Sequence, residues 1–184
     1  IGLAEFGRFI LPFCANPAYA TDMGDLMTNA RGVGLLPNVL LERLGERARD
    51  HVFEAVGLPP GLIENLDQRI PIESLARLFE QAANSTSDPY FGLDVGLRML
   101  PVTFGLWAHY AMQGANLRDA LMRASRTLQY HQDGTQMCIK KRPGNLVAWE
   151  YWHPHVNCPM FRQHTDHVSS IMIRFIREFT GRDW

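Results

Sequence analysis

The chain has 184 residues, of which 46% are hydrophobic and 20% are charged, a balance typical of one globular domain and not of a disordered or collagen-like chain. Its formal net charge of −1 at pH 7 excludes the strongly basic class of domain that binds nucleic acid by itself. The three cysteines show no CxxC spacing, so we predict neither a disulfide framework nor a zinc ribbon and expect a reducing, cytoplasmic location. No apolar run reaches the roughly 18 residues of a membrane span.

The first 22 residues are predicted to form an N-terminal arm, with the domain proper over residues 23–184. An apolar run followed by Ala18, Tyr19 and Ala20 also fits a short signal peptide with its cleavage site. The arm is the favoured interpretation because a signal peptide begins with the initiator Met, whereas this chain begins with Ile1. We expect the chain to be a fragment of a longer protein that continues beyond both ends.

Glycine and proline divide the chain up to Asp133 into a series of predicted helices. They are predicted at 37–44, 46–56, about 63–66, 72–82, from 88 to before 101, 105–114 and 117–130. Asp88 is predicted to cap its helix with Pro89 at the first position, and Asn116 to cap the last helix of the series.

After Asp133 and Gly134 the hydrophobic period changes from helical to alternating. Residues 135–152 are predicted to form a β-hairpin that turns at 143–145, and residues of about 163–180 a long amphipathic helix. The predicted fold class is therefore α+β, with a helix-rich N-terminal part followed by a small antiparallel sheet and a long helix.

Charge is unevenly distributed, since the first 100 residues are net acidic and the remainder net basic. The basic clusters are Arg118, Arg123 and Arg126, and then residues 140–142. These clusters are either ordinary solvated faces or a surface for an anionic ligand or partner.

The sequence contains no GxSxG elbow, no phosphate-binding GxxxxGK[ST] loop and no GxGxxG fingerprint. Ser125, Ser169 and Ser170 lie inside predicted helices without an elbow. We therefore predict that the protein is not an enzyme.

Histidines and a cysteine concentrate near the end of the chain, at His153, His155, Cys158, His164 and His167. Imidazole and thiolate are ligands for zinc, copper or haem iron, so a haem- or metal-binding sensor is one interpretation. The other is a histidine-rich polar connection without a ligand, because no closed four-ligand spacing is present.

Aromatic residues gather in the last predicted helices and the hairpin. They are Trp107, Tyr110, Tyr130, Trp149, Tyr151 and Trp152. On the second strand, Trp149 and Tyr151 share one face by the two-residue period. Such side chains either fill the core or line an apolar pocket whose polar tips orient a small ligand.

Four ordered blocks carry a resemblance to a known family. They are residues 67–71 (DQRIP), 88–96 (DPYFGLDVG), 105–112 (GLWAHYAM) and 117–121 (LRDAL). With these blocks the chain resembles the N-terminal arabinose-binding and dimerisation-type sensor domain of AraC-family bacterial transcription regulators, from about Met23 to the end.

The resemblance implies a domain that binds a small organic effector and forms a homodimer, without a cofactor. It also implies that a separate C-terminal domain with two helix-turn-helix motifs contacts promoter DNA, and we expect that domain to lie beyond Trp184. The effector would then control DNA binding or transcription activation.

The chemistry of the side chains suggests where each contact is made. The candidate ligand-binding residues are Arg98, Trp107, Tyr110, Arg126, Tyr130, Trp149, Glu150 and Tyr151, with arginine suited to a carboxylate and glutamate to an amine. The candidate dimer residues are Ile171, Met172, Phe175 and Phe179 on the last helix. Packing of that helix onto the sheet of its own domain is the alternative.

Overall fold

The computed structural model describes residues 26–144, 146–154 and 158–181. The predicted N-terminal arm therefore lies outside the described residues. Within these ranges the chain forms seven α-helices and two antiparallel sheets of two strands each, which confirms the α+β class.

The helices follow the predicted order closely. They are α1 (Leu36–Leu44), α2 (Glu46–Glu54), α3 (Ile72–Thr86), α4 (Phe91–Arg98), α5 (Leu106–Met112), α6 (Leu117–Thr127) and α7 (Arg162–Thr180). The predicted segment after Pro59 is a 3₁₀ helix, Pro60–Glu64, and a second 3₁₀ turn, Leu128–Tyr130, extends α6. The Asn116 side chain accepts a hydrogen bond from the backbone N–H of Asp119 at 3.0 Å, so the predicted cap of α6 is confirmed.

Helix α4 begins later than the sequence predicts. The Asp88 carboxylate accepts a hydrogen bond from the Tyr90 N–H at 2.9 Å and also pairs with Arg43 at 2.6 Å. Pro89 and Tyr90 consequently form a turn that precedes the helix, and Tyr90 is the residue at its N-cap. The Asp88 side chain thus accepts a hydrogen bond within the turn that precedes α4 and does not cap the helix.

The first sheet was not predicted. Strands β1 (Met27–Asn29) and β2 (Arg69–Pro71) pair in antiparallel register with Thr28 opposite Ile70. Thr28 also forms an isolated bridge with Gln132. This small sheet ties the start of the described chain to the connection that precedes the hairpin.

The predicted hairpin is confirmed as β3 (Gln136–Arg142) and β4 (Leu146–Trp152), with Gln136 opposite Trp152 and Arg142 opposite Leu146. Glu150 on one face pairs with Lys140 at 2.6 Å and also with Arg142. Trp149 and Tyr151 lie on the other face and line a cavity. The two-residue period of β4 thus separates a charged face from an aromatic one.

Helix α7 lies unusually close to α4. A Cβ atom on Gly92 would be 2.0 Å from the carbonyl oxygen of Gln163, and one on Gly96 would be 2.7 Å from that of His167. Only glycine permits this approach of two backbones, so the two glycines of α4 determine where α7 and its histidines are held.

The core is built from apolar faces that the helical period predicts. One large cluster joins α1, α3, α4 and α5, and a second lies between α5, α6, the hairpin and α7. In the part of the chain that the structure describes, no helix combines the length and apolarity needed to cross a membrane.

The bonding state of the cysteines differs from the sequence prediction, which included no disulfide framework. Of the two cysteines among the described residues, Cys158 is free and Cys138 is disulfide-bonded.

Candidate ligand cavity

A cavity of about 50 Å³ lies between α5, the end of α6, the hairpin and α7. This volume is several times the space that one water molecule needs. The lining residues are Gly32, Pro101, Phe104, Trp107, Ala108, Leu128, His131, Gln132, Met137, Trp149, Tyr151, His164, His167, Val168, Ile171, Met172 and Phe175.

Two local periods bring the cavity side chains together. On β4 the alternation of a strand directs Trp149 and Tyr151 to the same side. On α7 the spacing of three and four residues places His164, His167 and Ile171 on one face of the helix.

The aromatic wall of the cavity is made by rings from different elements. The Trp107 indole stacks on the His131 imidazole with centroids 5.0 Å apart, and Phe104 meets His131 edge-on at 5.4 Å. The Trp107 Nε1–H donates a hydrogen bond to the Ala124 carbonyl at 3.1 Å, which joins α5 to α6. The indole N–H of Trp107 is therefore already hydrogen-bonded within the protein.

Gln132 links the two sheets beside the cavity. Its Nε2 donates to the Tyr151 hydroxyl at 2.6 Å, and its Oε1 accepts from the Thr28 hydroxyl at 3.3 Å. Burial raises the pKa of Tyr151 above its ordinary value, so its phenol is protonated at neutral pH.

Three histidines, which we call the cavity histidines, line the cavity: His131, His164 and His167. Burial lowers the pKa of His164 and of His167 to about 3, and that of His131 to about 4. The neighbouring histidines lower the pKa of His164 further, and Arg69 does the same for His131. All three imidazoles are therefore neutral at pH 7.

Two polar groups of the lining have no hydrogen-bond partner among the residues that the structure describes. They are the His167 imidazole, through both ring nitrogens, and the Trp149 Nε1–H. His167 is only 1% exposed and packs on Phe79 with ring centroids 4.6 Å apart. Buried polar groups are usually paired, so these two indicate a place where a ligand or water completes the bonding.

Three of the eight predicted ligand-binding residues, Trp107, Trp149 and Tyr151, line the cavity. The other aromatic candidates lie outside its lining: the Arg123 guanidinium covers the Tyr110 ring at 5.0 Å, and Tyr130 is 74% exposed.

The charged candidates do not line the cavity either. Arg98 pairs with Asp94 at 3.1 Å and with Glu42 at 3.0 Å on the surface. Arg126 is exposed on α6. Glu150 pairs with the two basic residues of β3 described above, and hydrogen bonding to Lys140 and then Arg142 lowers the pKa of its carboxyl group.

The four side chains predicted for dimerisation point into their own domain. Ile171 and Phe175 are buried, and the Phe175 ring lies 5.4 Å from that of Trp149. Met172 lines the cavity, and Phe179 packs against the cluster between α7 and the hairpin. This arrangement corresponds to the alternative of a helix that packs onto its own sheet.

The histidine and cysteine cluster is dispersed. His164 and His167 lie with ring centroids 6.4 Å apart, His153 packs on Phe161, and His155 is outside the described residues. Over the described ranges, no group of three or more His, Cys, Asp or Glu side chains is positioned to hold a metal ion.

The sequence interpretation missed His131 and Gln132 as cavity residues and considered His164 and His167 only within one of two alternatives, a haem or metal site. The available signal was the position of both α7 histidines on the apolar stripe of the helix, which predicts burial. His131 and Gln132 follow a 3₁₀ turn and carry no periodic pattern.

Comparison with known families gives one match. A model of the family described as the arabinose-binding domain of AraC transcription regulators, N-terminal, matches residues 47–184. No curated protein matches the chain. All the lining residues except Gly32 fall within the matched range.

Proposed function

The chain belongs to the family of N-terminal arabinose-binding domains of AraC transcription regulators, and on this basis we propose that its cavity is the site where a small organic effector binds to regulate transcription. The observation that carries the proposal is the buried, unpaired His167 imidazole in an otherwise apolar cavity. A concave apolar site with few polar groups is the usual form of a small-molecule site.

The position of α7 provides a route from the effector to the rest of the molecule. The helix lines the cavity through residues from His164 to Phe175, and its other side is held against α4 at Gly92 and Gly96. An effector that binds one position of α7 better than another shifts the balance between two arrangements by that difference in affinity.

The output of this regulation is proposed to reside in a separate domain. A net charge of −1 gives the chain no overall electrostatic attraction to DNA, so promoter contact is assigned to a separate C-terminal helix-turn-helix domain, as the family resemblance implies. A homodimer, and a cytoplasmic location inferred from the match to a family of transcription regulators, complete the proposal. Light scattering of the purified chain at micromolar concentration tests the dimer, and a monomer at every concentration would contradict it.

The cavity itself can be tested by filling it. Ala108 lines the cavity and is 2% exposed, so Ala108→Leu adds a side chain where the effector would lie. Ala115→Leu makes the same chemical change at an exposed position and serves as the control.

The measurement is a thermal-shift screen of small organic compounds, with hits tested in a transcription reporter that carries the full-length regulator. We expect hits that raise the melting temperature of the wild type and of Ala115→Leu, but not of Ala108→Leu. Hits that stabilise all three proteins equally would place the effector outside this cavity. A screen without any stabilising compound would contradict the proposal of a small-molecule site.

A further inference from the structure

The described lining residues of the cavity provide no ionised group with which to meet a charged ligand. None of its described lining residues is Asp, Glu, Lys or Arg, and the cavity histidines are neutral. Burying an unpaired carboxylate or ammonium group in such a site is strongly unfavourable. The lining therefore favours a neutral ligand.

The unpaired groups define what polar chemistry that ligand carries. A neutral imidazole offers one donor and one acceptor, and the indole N–H offers a donor. Two other polar tips of the lining are already engaged, since Trp107 donates to Ala124 and Gln132 donates to Tyr151. His167 and Trp149 therefore call for a group that both accepts and donates, which is the property of a hydroxyl.

The apolar lining residues determine which non-polar part of a ligand the cavity favours. Phe104, Ile171, Met172 and Phe175 present hydrocarbon and aromatic surface, which favours an apolar body. A pentose carries several hydroxyls, and those directed at these walls would have no hydrogen-bond partner. The name of the family thus does not describe the ligand that suits this cavity.

We propose that the effector of this domain is a compact, uncharged compound with an apolar body and a hydroxyl group, such as a small phenol or alcohol, that pairs with one ring nitrogen of His167 and with the Trp149 indole N–H. This inference rests on the proposed role of the cavity as the effector site. The volume of about 50 Å³ is smaller than the roughly 150 Å³ that accommodates benzene in an engineered cavity. The flexible side chains of Met137 and Met172 line the cavity and let it widen around a ring.

The test uses probes of matched shape, measured by calorimetric titration of the wild-type protein at pH 7. Phenol and toluene differ only by a hydroxyl in place of a methyl group, benzoate and benzylammonium add a charge, and L-arabinose represents the sugars. We expect phenol to bind at least about tenfold more tightly than toluene, because toluene leaves the buried polar groups unpaired. Benzoate, benzylammonium and L-arabinose should bind more weakly than phenol.

Two variants identify the groups responsible. His167→Phe and Trp149→Phe each remove the polar atoms and keep an aromatic ring. In both variants we expect the preference for phenol over toluene to fall, while toluene affinity stays within about threefold of the wild type. Circular dichroism and the unfolding midpoint verify that each variant is folded, and the two variants provide independent tests.

The outcomes separate this inference from the proposed function. Equal binding of phenol and toluene, or tighter binding of benzoate, benzylammonium or arabinose, would overturn the hydroxyl-compound class while leaving the cavity as a ligand site. A phenol preference that persists in both variants would also overturn it. Failure of every probe to bind, together with a screen without hits, would count against the cavity as an effector site altogether.

Discussion

The contact between α4 and α7 predicts that Gly92→Ala destabilises the fold strongly. The Cβ of alanine would lie 2.0 Å from the Gln163 carbonyl oxygen, whereas ordinary van der Waals contact begins at 3.4 Å. The two backbones would have to separate by about 1.4 Å, because the nearest atoms are main-chain atoms that cannot rotate away.

The magnitude follows from three contributions. Overpacking of this kind costs about 1–3 kcal/mol. The separation also weakens the buried hydrogen bond from the Gly92 N–H to Gln163 Oε1 at 2.8 Å, which contributes about 1 kcal/mol. Alanine recovers about 1 kcal/mol through its higher helix propensity. We therefore expect a loss of about 1–3 kcal/mol in the free energy of unfolding, or roughly 2–12 °C in melting temperature for a chain of this size.

The assay is denaturant unfolding of the wild type and two glycine variants, followed by circular dichroism. Gly61→Ala is the matched control, because a Cβ at Gly61 meets nothing within 4 Å and the residue needs no left-handed backbone. That control should change stability by less than about 1 kcal/mol, in the stabilising direction. Equal stability of Gly92→Ala and wild type, or an equal loss in both variants, would refute the argument that the close approach of α4 and α7 holds this part of the fold.

Three further predictions follow from individual contacts. Because burial lowers the pKa of the cavity histidines to about 3–4, the unfolded chain binds more protons than the native one below pH 6.5, so stability falls as pH decreases. Each cavity histidine should lower the free energy of unfolding by about 2 kcal/mol between pH 7 and pH 5, as measured by denaturant titration. A free energy of unfolding that does not change with pH would contradict their burial in the neutral form. Trp107→Phe removes the indole N–H that donates to the Ala124 carbonyl and leaves space in the core. It should lower the free energy of unfolding by about 2 kcal/mol in the same assay. An unchanged unfolding midpoint would show that this hydrogen bond does not hold α5 to α6. Arg43→Ala removes the ion pairs with Asp88 and Asp94, whose side chains are 24% and 31% exposed. The loss in the free energy of unfolding should stay within about 1–2 kcal/mol and become smaller in 1 M salt. A larger or salt-independent loss would contradict a surface ion pair.

Much of the architecture is specified by local patterns in the chain. The helical stripe predicts α3 and α7, the Asn116 cap marks the start of α6, and the two-residue alternation places Trp149 and Tyr151 on one face of β4. Each of these is a property of neighbouring residues, because capping and hydrophobic period depend on a few positions along the chain.

Other features depend on residues that are distant in sequence. Strands β1 and β2 are three residues long and pair across more than 40 residues, so neither carries a period that could be recognised in advance. Asp88, before α4, is also paired with Arg43 on another helix, a contact that the local sequence does not predict. Non-local partners decide such details, and hydrophobic periodicity does not contain them.

The sequence by itself determined a near-neutral α+β domain, the family resemblance and the aromatic residues from which a cavity could be built. Only the tertiary structure decided which polar groups that cavity contains: it placed Arg98 and Glu150 in surface ion pairs, and it buried His167 unpaired in the lining to which Trp149 also belongs. The physical reason is that the charge state and bonding of a side chain depend on burial and on its neighbours in space, and α7 acquires those neighbours only when it packs against α4 and the hairpin.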